Sequence, residues 1–553
     1  MINLDSLTLK FQLDEIIPIL KNGRIQKIQQ LNRRDLLFTV RNNASQYKLF
    51  ISINPNSAHI SVIEEENKHY RFLQIPQFPP MFCMLLRKHL EGVKILDITQ
   101  PEHERIIEFH FNSYGDLGEH IPLVLAVELM GKHSNVILYN NASKIILGCM
   151  HNVGEEKSKE RELAGLLPYI YPKKHSRLNI LKIGEEDFLK LCTKEFLISP
   201  NWLNETFFDI SVHLAKELLA DCSEDCAKIY NNLNDLLNGK RISPSVKEDL
   251  SEFSIYSPYD TKFDTVNKMV DFYFSRNIYK FELCKKRNQI AKVLNKEIKK
   301  INSALEKIGN FDKTLQKAKH YKEIADTLMT NLYSLKVEPK ITAANIYTQE
   351  NLEISLKPEL SINENAQKYY NLYNKLNKSV KFNAALIQKY NGEKEYLTGI
   401  KSSLEFAADI EDLNQIEEEL VSINLLTNKE QSKKKDNKID IEKVQEDGFA
   451  IYIGKNNKQN DYLISKLASA EDLWLHAQGA FGGHVIIKPN QKGMSVSDEI
   501  LLKAAKLAGR YSSSKNDKKI SVIYTKRKYL KRPPNTPLGY VTHTNEKTIV
   551  VEN

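Results

Sequence analysis

The chain has 553 residues, 41% of them hydrophobic and 27% charged, with a net charge of +9. That size and balance suit a water-facing protein of about three or four domains. No run approaches the roughly 18 uninterrupted apolar residues of a membrane span, and Met1-Ile2-Asn3-Leu4-Asp5 carries no basic-then-apolar leader, so a cytoplasmic protein is expected.

In chain order, residues 24–62 read as a β-meander. Leu36, Phe38 and Val40 alternate, then Leu49, Ile51 and Ile53, then Ile60 and Val62, with Asn42-Asn43 and Asn54-Pro55-Asn56 as turns. Pro79-Pro80 opens a helix that stops at Gly92. Strands follow at Val93–Ile98, Arg105–Phe111, Ile121–Met130, Asn135–Tyr139 and Lys144–Met150. Ile25-x-x-Ile28-x-Gln30 is echoed by Ile95-x-x-Ile98-x-Gln100, which points to a duplicated β unit.

Polar clusters interrupt these strands. His103-Glu104-Arg105 sits in a strand-to-strand turn, Glu128 ends an apolar strand, and Gly131-Lys132-His133-Ser134-Asn135 makes the next turn. Glycine there admits a close backbone approach, while Lys132, Ser134 and Asn135 could hold a phosphate or ribose. A plain solvated turn remains the alternative. The six cysteines, Cys83, Cys149, Cys192, Cys222, Cys226 and Cys284, show no CxxC pair at zinc spacing, so neither a disulfide frame nor a metal is expected; a Cys222/Cys226 pair on one helical face stays open.

From about Leu181 to Leu237 apolar residues, among them Phe188, Phe196-Leu197, Phe207, Leu214 and Ile229, fall at helical intervals. Short helices with tight turns suggest a helix-hairpin-helix-like module, although Asp209-Ile210-Ser211 stands where a glycine-containing hairpin is expected. A charged helical run follows. Leu294, Ile298, Ile301, Leu305, Ile308 and Leu315 make a heptad seam over 283–335, and Ala366, Tyr369, Tyr373, Leu376, Val380, Ala384 and Ile387 make its return over 366–420. Pro339 and Pro358 fall between the halves, so the chain turns there. The pattern predicts an antiparallel arm that reaches roughly 80 Å if each side is continuous.

Gln431-Ser432-Lys433-Lys434-Lys435-Asp436-Asn437-Lys438 is a polar linker. Beyond it, Gln445–Asn553 holds 17 Lys or Arg against 10 Asp or Glu. Lys526, Arg527, Lys528, Lys531 and Arg532 surround Tyr529 just after a strand, a pairing of cations and aromatics that suits a nucleic-acid backbone. The amide-rich loop Gly454–Asp461, with Asn457 and Asp461, leads to Trp474, His476 and His484. The two histidines match no metal spacing and read as hydrogen-bonded side chains.

At these residues the chain resembles the NFACT family. Gly454–Asp461 with Trp474-Leu475-His476-Ala477 and Gly483-His484-Val485-Ile486-Ile487 is similar to the family's C-terminal NFACT-R domain. Glu128-Leu129-Met130-Gly131-Lys132-His133-Ser134-Asn135 is similar to the NFACT-N signature, and Asn365-Ala366-Gln367-Lys368-Tyr369-Tyr370 to the middle segment. The resemblance implies an α+β multidomain protein: a mostly β N-terminal domain over 1–174, a small helix-hairpin-helix-like helical domain over 175–281, a long antiparallel coiled coil with a middle insert over 282–434, and an α/β NFACT-R domain over 442–553.

It also implies ribosome-associated quality control. Partners would be a large ribosomal subunit still holding peptidyl-tRNA, and tRNA(Ala) recruited for mRNA-independent alanine addition to the nascent chain. A small RNA-binding tailing partner of the RqcP type belongs to the same picture. The peptide bond would form in ribosomal RNA, so no catalytic residue, cofactor or metal is assigned to the chain. Glu104 and Arg105 match the family's Asp-Arg pair, with Glu one methylene longer, and Glu128, Lys132, Ser134 and Asn135 join them for tRNA binding or tailing. Asn457, Asp461, Trp474, His476, His484 and the five cations are assigned to RNA binding. Gly483 stands where Ser is usual. Two rivals remain: a fibronectin-binding surface adhesin, and a glycosylase-like enzyme of the formamidopyrimidine type. The latter needs an N-terminal Pro nucleophile, which Met1-Ile2 does not supply.

Overall fold

The computed structural model describes residues 3–64, 67–70, 75–115, 118–156, 158, 160–173, 176–192, 198–222, 225–309, 311–427, 439–491, 493–534 and 536–552. The expected linker Gln431–Lys438, the pair Phe196-Leu197 and the His103 side chain lie outside them. The chain divides into two compact units, Met1–Glu282 and Leu283–Asn553.

The first unit opens with α1 (Ser6–Leu20), capped by Asp5, whose Oδ1 accepts the Thr8 N–H at 2.8 Å. This helix is absent from the sequence reading because Leu7, Leu9, Phe11, Leu13 and Ile16 alternate like a strand; burial on nearly all sides lets a helix form anyway. Strands β1 (Arg24–Gln30), β2 (Asp35–Asn42), β3 (Ser45–Ser52) and β4 (His59–Val62) then make an antiparallel meander. Next come α2 (Met81–Leu90) and a second meander: β5 (Ile95–Thr99), β6 (Ile106–Tyr114), β7 (His120–Glu128), β8 (Asn135–Asn140) and β9 (Ile146–Cys149).

The two meanders are copies. Each first strand carries a bulge at the same place, between Ile25 and Lys27 in one and Ile95 and Asp97 in the other. They also cross-pair reciprocally. The Asn22 N–H donates to Ile95 C=O as Gly92 N–H donates to Ile25 C=O, both at 2.8 Å, and Ile25 N–H meets Val93 C=O (3.0 Å) as Ile95 N–H meets Gly23 C=O (2.9 Å). At the far corners Ile53 N–H donates to Arg34 C=O (2.9 Å) and Leu129 N–H to Arg105 C=O (2.8 Å), so Arg34 and Arg105 are structural equivalents. The Ser52–His59 pair in the first copy likewise corresponds to Glu128–Asn135 in the second.

Inward residues of both copies, including Ile25, Phe38, Ile51, Ile95, Phe109 and Leu125, share one core. The outward faces differ. On the first copy, Phe274 stacks on His59 at 4.3 Å, Asn267 exchanges two bonds with the Val62 backbone, and the Asp271 carboxylate accepts from Ser61 (3.2 Å) and Asn67 (2.7 Å). On the second copy, Val124, Ala126, Ile137 and Tyr139 are covered by Leu163 and Tyr169 from the segment after β9.

Helices α3 (Glu185–Cys192), α4 (Pro200–Thr206), α5 (Val212–Cys222) and α6 (Cys226–Leu237) form the helical module, followed by three two-residue strands, β10 (Ser245–Val246), β11 (Phe253–Ser254) and β12 (Thr261–Lys262). Phe188, Leu203, Phe207, Ile210 and Leu214 join the core of the meanders. Cys222 and Cys226 fall in separate helices, so they do not form the single-helix pair left open by their spacing.

The long helix α7 (Val266–Ile308) starts in the first unit, where its opening turns supply Asn267, Asp271 and Phe274, and continues into the second. There it is followed by α8 (Phe311–Thr330), the hairpin β13 (Lys340–Ala344) and β14 (Asn351–Ser355), α9 (Ile362–Phe406) and α10 (Ile410–Ser422). The outgoing side is broken at Gly309, while α9 runs unbroken for 45 residues, about 66 Å. The outgoing seam holds: Leu294 and Ile301 are buried against Leu397, Ile400 and Leu404. The return seam is corrected at Ala384, which is exposed; Asn383 and Leu386 turn inward there, while Ile387 keeps its expected place. A strict heptad drifts around a straight 3.6-residue helix over this length. Asn365 latches the insert. Its Oδ1 accepts Lys357 N–H at 2.9 Å and its amide donates to the Lys357, Leu360 and Ser361 carbonyls, while Tyr369 donates to Ser355 C=O and Tyr370 to Asp326.

The C-terminal sheet contains β15 (Glu442–Glu446), β16 (Phe449–Ile453), β17 (Leu473–Ala477), β18 (Val485–Pro489), β19 (Lys519–Lys526) and β22 (Lys547–Glu552), in the order β15-β16-β18-β17-β19-β22. The short helix α11 (Asn457–Tyr462) follows β16, and α12 (Asp498–Arg510) packs Ile500, Ala504, Ala505 and Ala508 on one face of the sheet. β20 (Leu530–Lys531) and β21 (Thr542–His543) form a separate antiparallel pair between β19 and β22 in the chain. No helix among the described residues is long and apolar enough to cross a membrane.

Candidate nucleic-acid interface

Charge separates the two units. Residues 1–282 carry 34 Lys or Arg against 37 Asp or Glu, whereas residues 283–553 carry 45 against 33. The surplus is wider than the last fifth of the chain: residues 283–406 alone hold 22 cations against 13 acids. Attraction for a polyanion therefore belongs to the arm and the C-terminal sheet together.

In the C-terminal domain the basic run is largely occupied. Lys526 and Lys528 both clamp Glu471 (2.8 and 2.7 Å), holding its carboxyl down to about 2. Arg532 pairs with Asp461 (2.7 Å), and Arg527 Nε donates to Ile464 C=O (3.0 Å). Lys531 is exposed. All these pairs lie at the surface, where water and salt weaken them enough for a phosphate to compete.

The aromatic assignments need correction. Trp474 is 1% exposed and packs with Leu463, Ile486 and Ile523, so it offers no stacking face. His476 stacks on it at 5.8 Å, and His484 meets it edge-on at 5.3 Å. Burial pushes His476 down to about 4 and His484 well below its ordinary value, so both rings are neutral near pH 7. His543, on β21, completes the cluster at 5.8 Å from Trp474; nothing in local spacing marked it. Gly483 is required where it stands, because a Cβ there would lie 2.2 Å from Gly454 C=O.

The amide loop is also corrected. Asn456 caps α11 and donates to Gln415 Oε1 (3.0 Å), Gln459 donates to Asp412 (2.7 Å) and Gln415 (3.0 Å), and Asn457 donates to Glu419 (2.9 Å). Lys455 adds an ion pair to Glu442 (2.7 Å) and Lys458 one to Glu418. Burial pushes the Asp412 and Glu419 carboxyls up. This loop binds α10 instead of facing solvent, and Asn457 is committed to that contact. No group of His, Cys, Asp or Glu among the described residues is arranged to hold a metal.

In the first unit the signature at residues 128–135 is mostly scaffold. Glu128 is wholly buried and takes a bidentate grip from Arg161 (2.8 and 2.6 Å) plus the Tyr169 hydroxyl (2.9 Å). Glu108 plays a similar part for Tyr139 and Tyr171. Asn135 donates to His151 C=O (2.8 Å) and accepts the His151 N–H (3.0 Å), clasping β8 to the chain after β9. Glu128 and Asn135 are thus corrected from RNA contacts to structural ties. Ser134 is buried, with its hydroxyl unpartnered among the described residues, and Lys132 is exposed.

The corner at Glu104-Arg105 is different. Gln100 donates to Ser6 C=O (3.1 Å) and Glu104 C=O (2.9 Å), pinning the turn to the head of α1. Arg105 is half-buried, yet its guanidinium has no hydrogen bond or ion pair among the described residues. Burial pulls it below the usual arginine range, opposed by the charges of Asp5 and Glu104. A half-buried guanidinium whose hydrogen-bonding edges are unfilled among the described residues is poised to take an anion.

Comparison with known proteins agrees in extent and order. The family described as "NFACT N-terminal and middle domains" matches residues 5–439, and "NFACT protein RNA binding domain" matches residues 437–541. The "Rqc2 homolog RqcH" of Streptococcus suis is 29% identical over 551 residues, covering 97% of this chain and 96% of that protein. Its counterpart from Bacillus subtilis is 28% identical over 560 residues, covering 97% and 95%. Among solved structures, the N-terminal part of the fibronectin/fibrinogen-binding protein from Streptococcus suis aligns with 27% identity and a TM-score of 0.44, over 50% of this chain and 100% of that one. The chain belongs to the NFACT family.

Proposed function

We propose that this protein is a ribosome quality-control factor of the RqcH type, which binds a large ribosomal subunit that still carries peptidyl-tRNA and recruits tRNA(Ala) for mRNA-independent alanine tailing. The observation that carries the reading is the match to RqcH proteins along nearly the whole chain, with both family domains in order. The physical features support it. A second unit rich in cations supplies affinity for rRNA, and Arg105, without a hydrogen bond or ion pair among the described residues, supplies a contact for tRNA. The chain positions its partners and the ribosome forms the bond, so it acts without a catalytic residue. A small partner of the RqcP type would assist, and the work would take place in the cytoplasm.

Tagged protein recovered from cells with stalled translation should sediment with large subunits, and its RNA should be enriched in tRNA(Ala). Recovery free of ribosomal particles and tRNA at low salt would overturn the reading. Reversing the charge of Lys526, Lys528 and Lys531 should weaken subunit association and reduce its salt slope by about one unit for each phosphate no longer neutralised.

A further inference from the structure

Three segments converge on the Arg105 corner. Gln100 ties the corner to Ser6 at the head of α1. The turn before α5 reaches the same helix head through Ser211, whose hydroxyl donates to the Asp5 carboxylate at 2.7 Å. Arg177, from the chain entering the helical module, is fixed by a bond from Nη1 to Asn204 C=O (2.9 Å), and Asn204 in turn donates to Ile210 C=O (2.7 Å).

The polar groups gathered there are incompletely satisfied. Ser6 and Asp209 are 4% and 1% exposed, and Ser6 Oγ and Asp209 Oδ1 have no partner among the described residues; Asp209 Oδ2 accepts the Ile180 N–H at 3.1 Å. Arg105 and Arg177 feel each other's charge, and both Glu104 and Arg177 act on Asp209. Two guanidinium groups in one neighbourhood repel unless an anion bridges them. Asp5 and Glu104 bring carboxyl groups to the same corner, and Asp209 adds one negative charge there when it releases its proton.

We propose that Arg177 is a second cation for the RNA phosphate taken by Arg105, and that the buried Asp209 carboxyl sets their grip by adding or withholding one negative charge. The proposal rests on the reading of Arg105 as a tRNA contact. Burial pushes Asp209 up to about 7, reinforced by Glu104 and opposed by Arg177. The charged groups that act on it are Glu104 from the turn before β6 and Arg177 from the chain before α3, while Asp5, the cap of α1, meets Ser211 two residues further along the chain. Deprotonation above neutral pH repels the phosphate, so the grip tightens as pH falls through about 7. Asp209 is a positioning residue that acts through Arg177.

The test is filter binding of bulk deacylated tRNA to the full chain at pH 6 and pH 8. R177Q keeps a donor for Asn204 C=O, and D209N keeps an acceptor for the Ile180 N–H. R105A and R177Q should each weaken binding about tenfold, with R177K recovering most of the loss. D209N should tighten binding about threefold at pH 8 and leave pH 6 unchanged, a gain that misfolding cannot produce. R177Q should also flatten the wild-type pH profile. If R105A weakens binding while R177Q and D209N match wild type at both pH values, the proposal fails and the Arg105 reading stands. If R105A itself is without effect, both fall.

Discussion

The two β copies of the first unit share strand order, bulge and reciprocal cross-pairing, yet their corners have different chemistry. In the first, Leu31-Asn32-Arg33-Arg34 closes on itself: Asn32 accepts the Arg34 N–H at 2.7 Å and donates to Asp35, and Arg34 lies in solvent. In the second, Pro101–Arg105 is one residue longer and Arg105 is half-buried with no hydrogen bond or ion pair among the described residues. The repeated frame supplies a position. The inserted residue and the neighbouring helical module supply the chemistry.

The comparison breaks most sharply on the outward faces, where Ser52 in one copy corresponds to Glu128 in the other. Removing Arg161 would strand a buried carboxylate, so R161A should lose about 3–5 kcal/mol in urea denaturation; S52A should lose less than about 1.5 kcal/mol. Equal losses would show that the ion pair is not what separates the copies. Next in size is Asp271, which ties the first copy to α7. Burial raises its carboxyl from 3.8 to about 6, so the folded state keeps a proton that the unfolded chain has released. Stability should therefore fall as pH rises from about 4 to about 6, by on the order of 2 kcal/mol, and D271N should flatten that slope.

At the corners, R105A should reduce tRNA recovery about tenfold, and R34A, its structural equivalent, should leave recovery unchanged. Matching losses would reduce both arginines to general electrostatics. The smallest effect concerns the ends of the two preceding helices, where Asn22 and Gly92 occupy equivalent left-handed positions with φ of 66° and 84°. G92A should lose about 1 kcal/mol, while N22G should be nearly neutral, as read from thermal melts.

The meanders, the helix after Pro79-Pro80 and the C-terminal sheet were legible because alternation and turn residues act locally. The echo of Ile25-x-x-Ile28-x-Gln30 at Ile95 marked a real duplication, visible in the paired bulges. Helix α1 was hidden because its apolar residues form no stripe. The amide loop and the Trp474 cluster were misread for a different reason: an Asn that binds RNA and one that binds Glu419 have the same letter, and only the fold brings α10 to that loop. Arg161 and Arg177 were missed because each meets its partner across a distance in sequence that no periodicity spans, and Asp209 was read only as part of a hairpin turn. Arg105 stood out as part of a polar turn and drew its role from resemblance; that its hydrogen-bonding edges are unfilled among the described residues is a property of the folded corner.

The bond set between α10 and the loop at residues 455–459 has a mechanical consequence. Asp412, Gln415 and Glu419 seat the C-terminal sheet at the foot of the paired helices, and Tyr396 of α9 donates to the same Glu419. A displacement of that sheet is thus delivered to α9 directly, and α9 runs unbroken back toward the hairpin at residues 340–355.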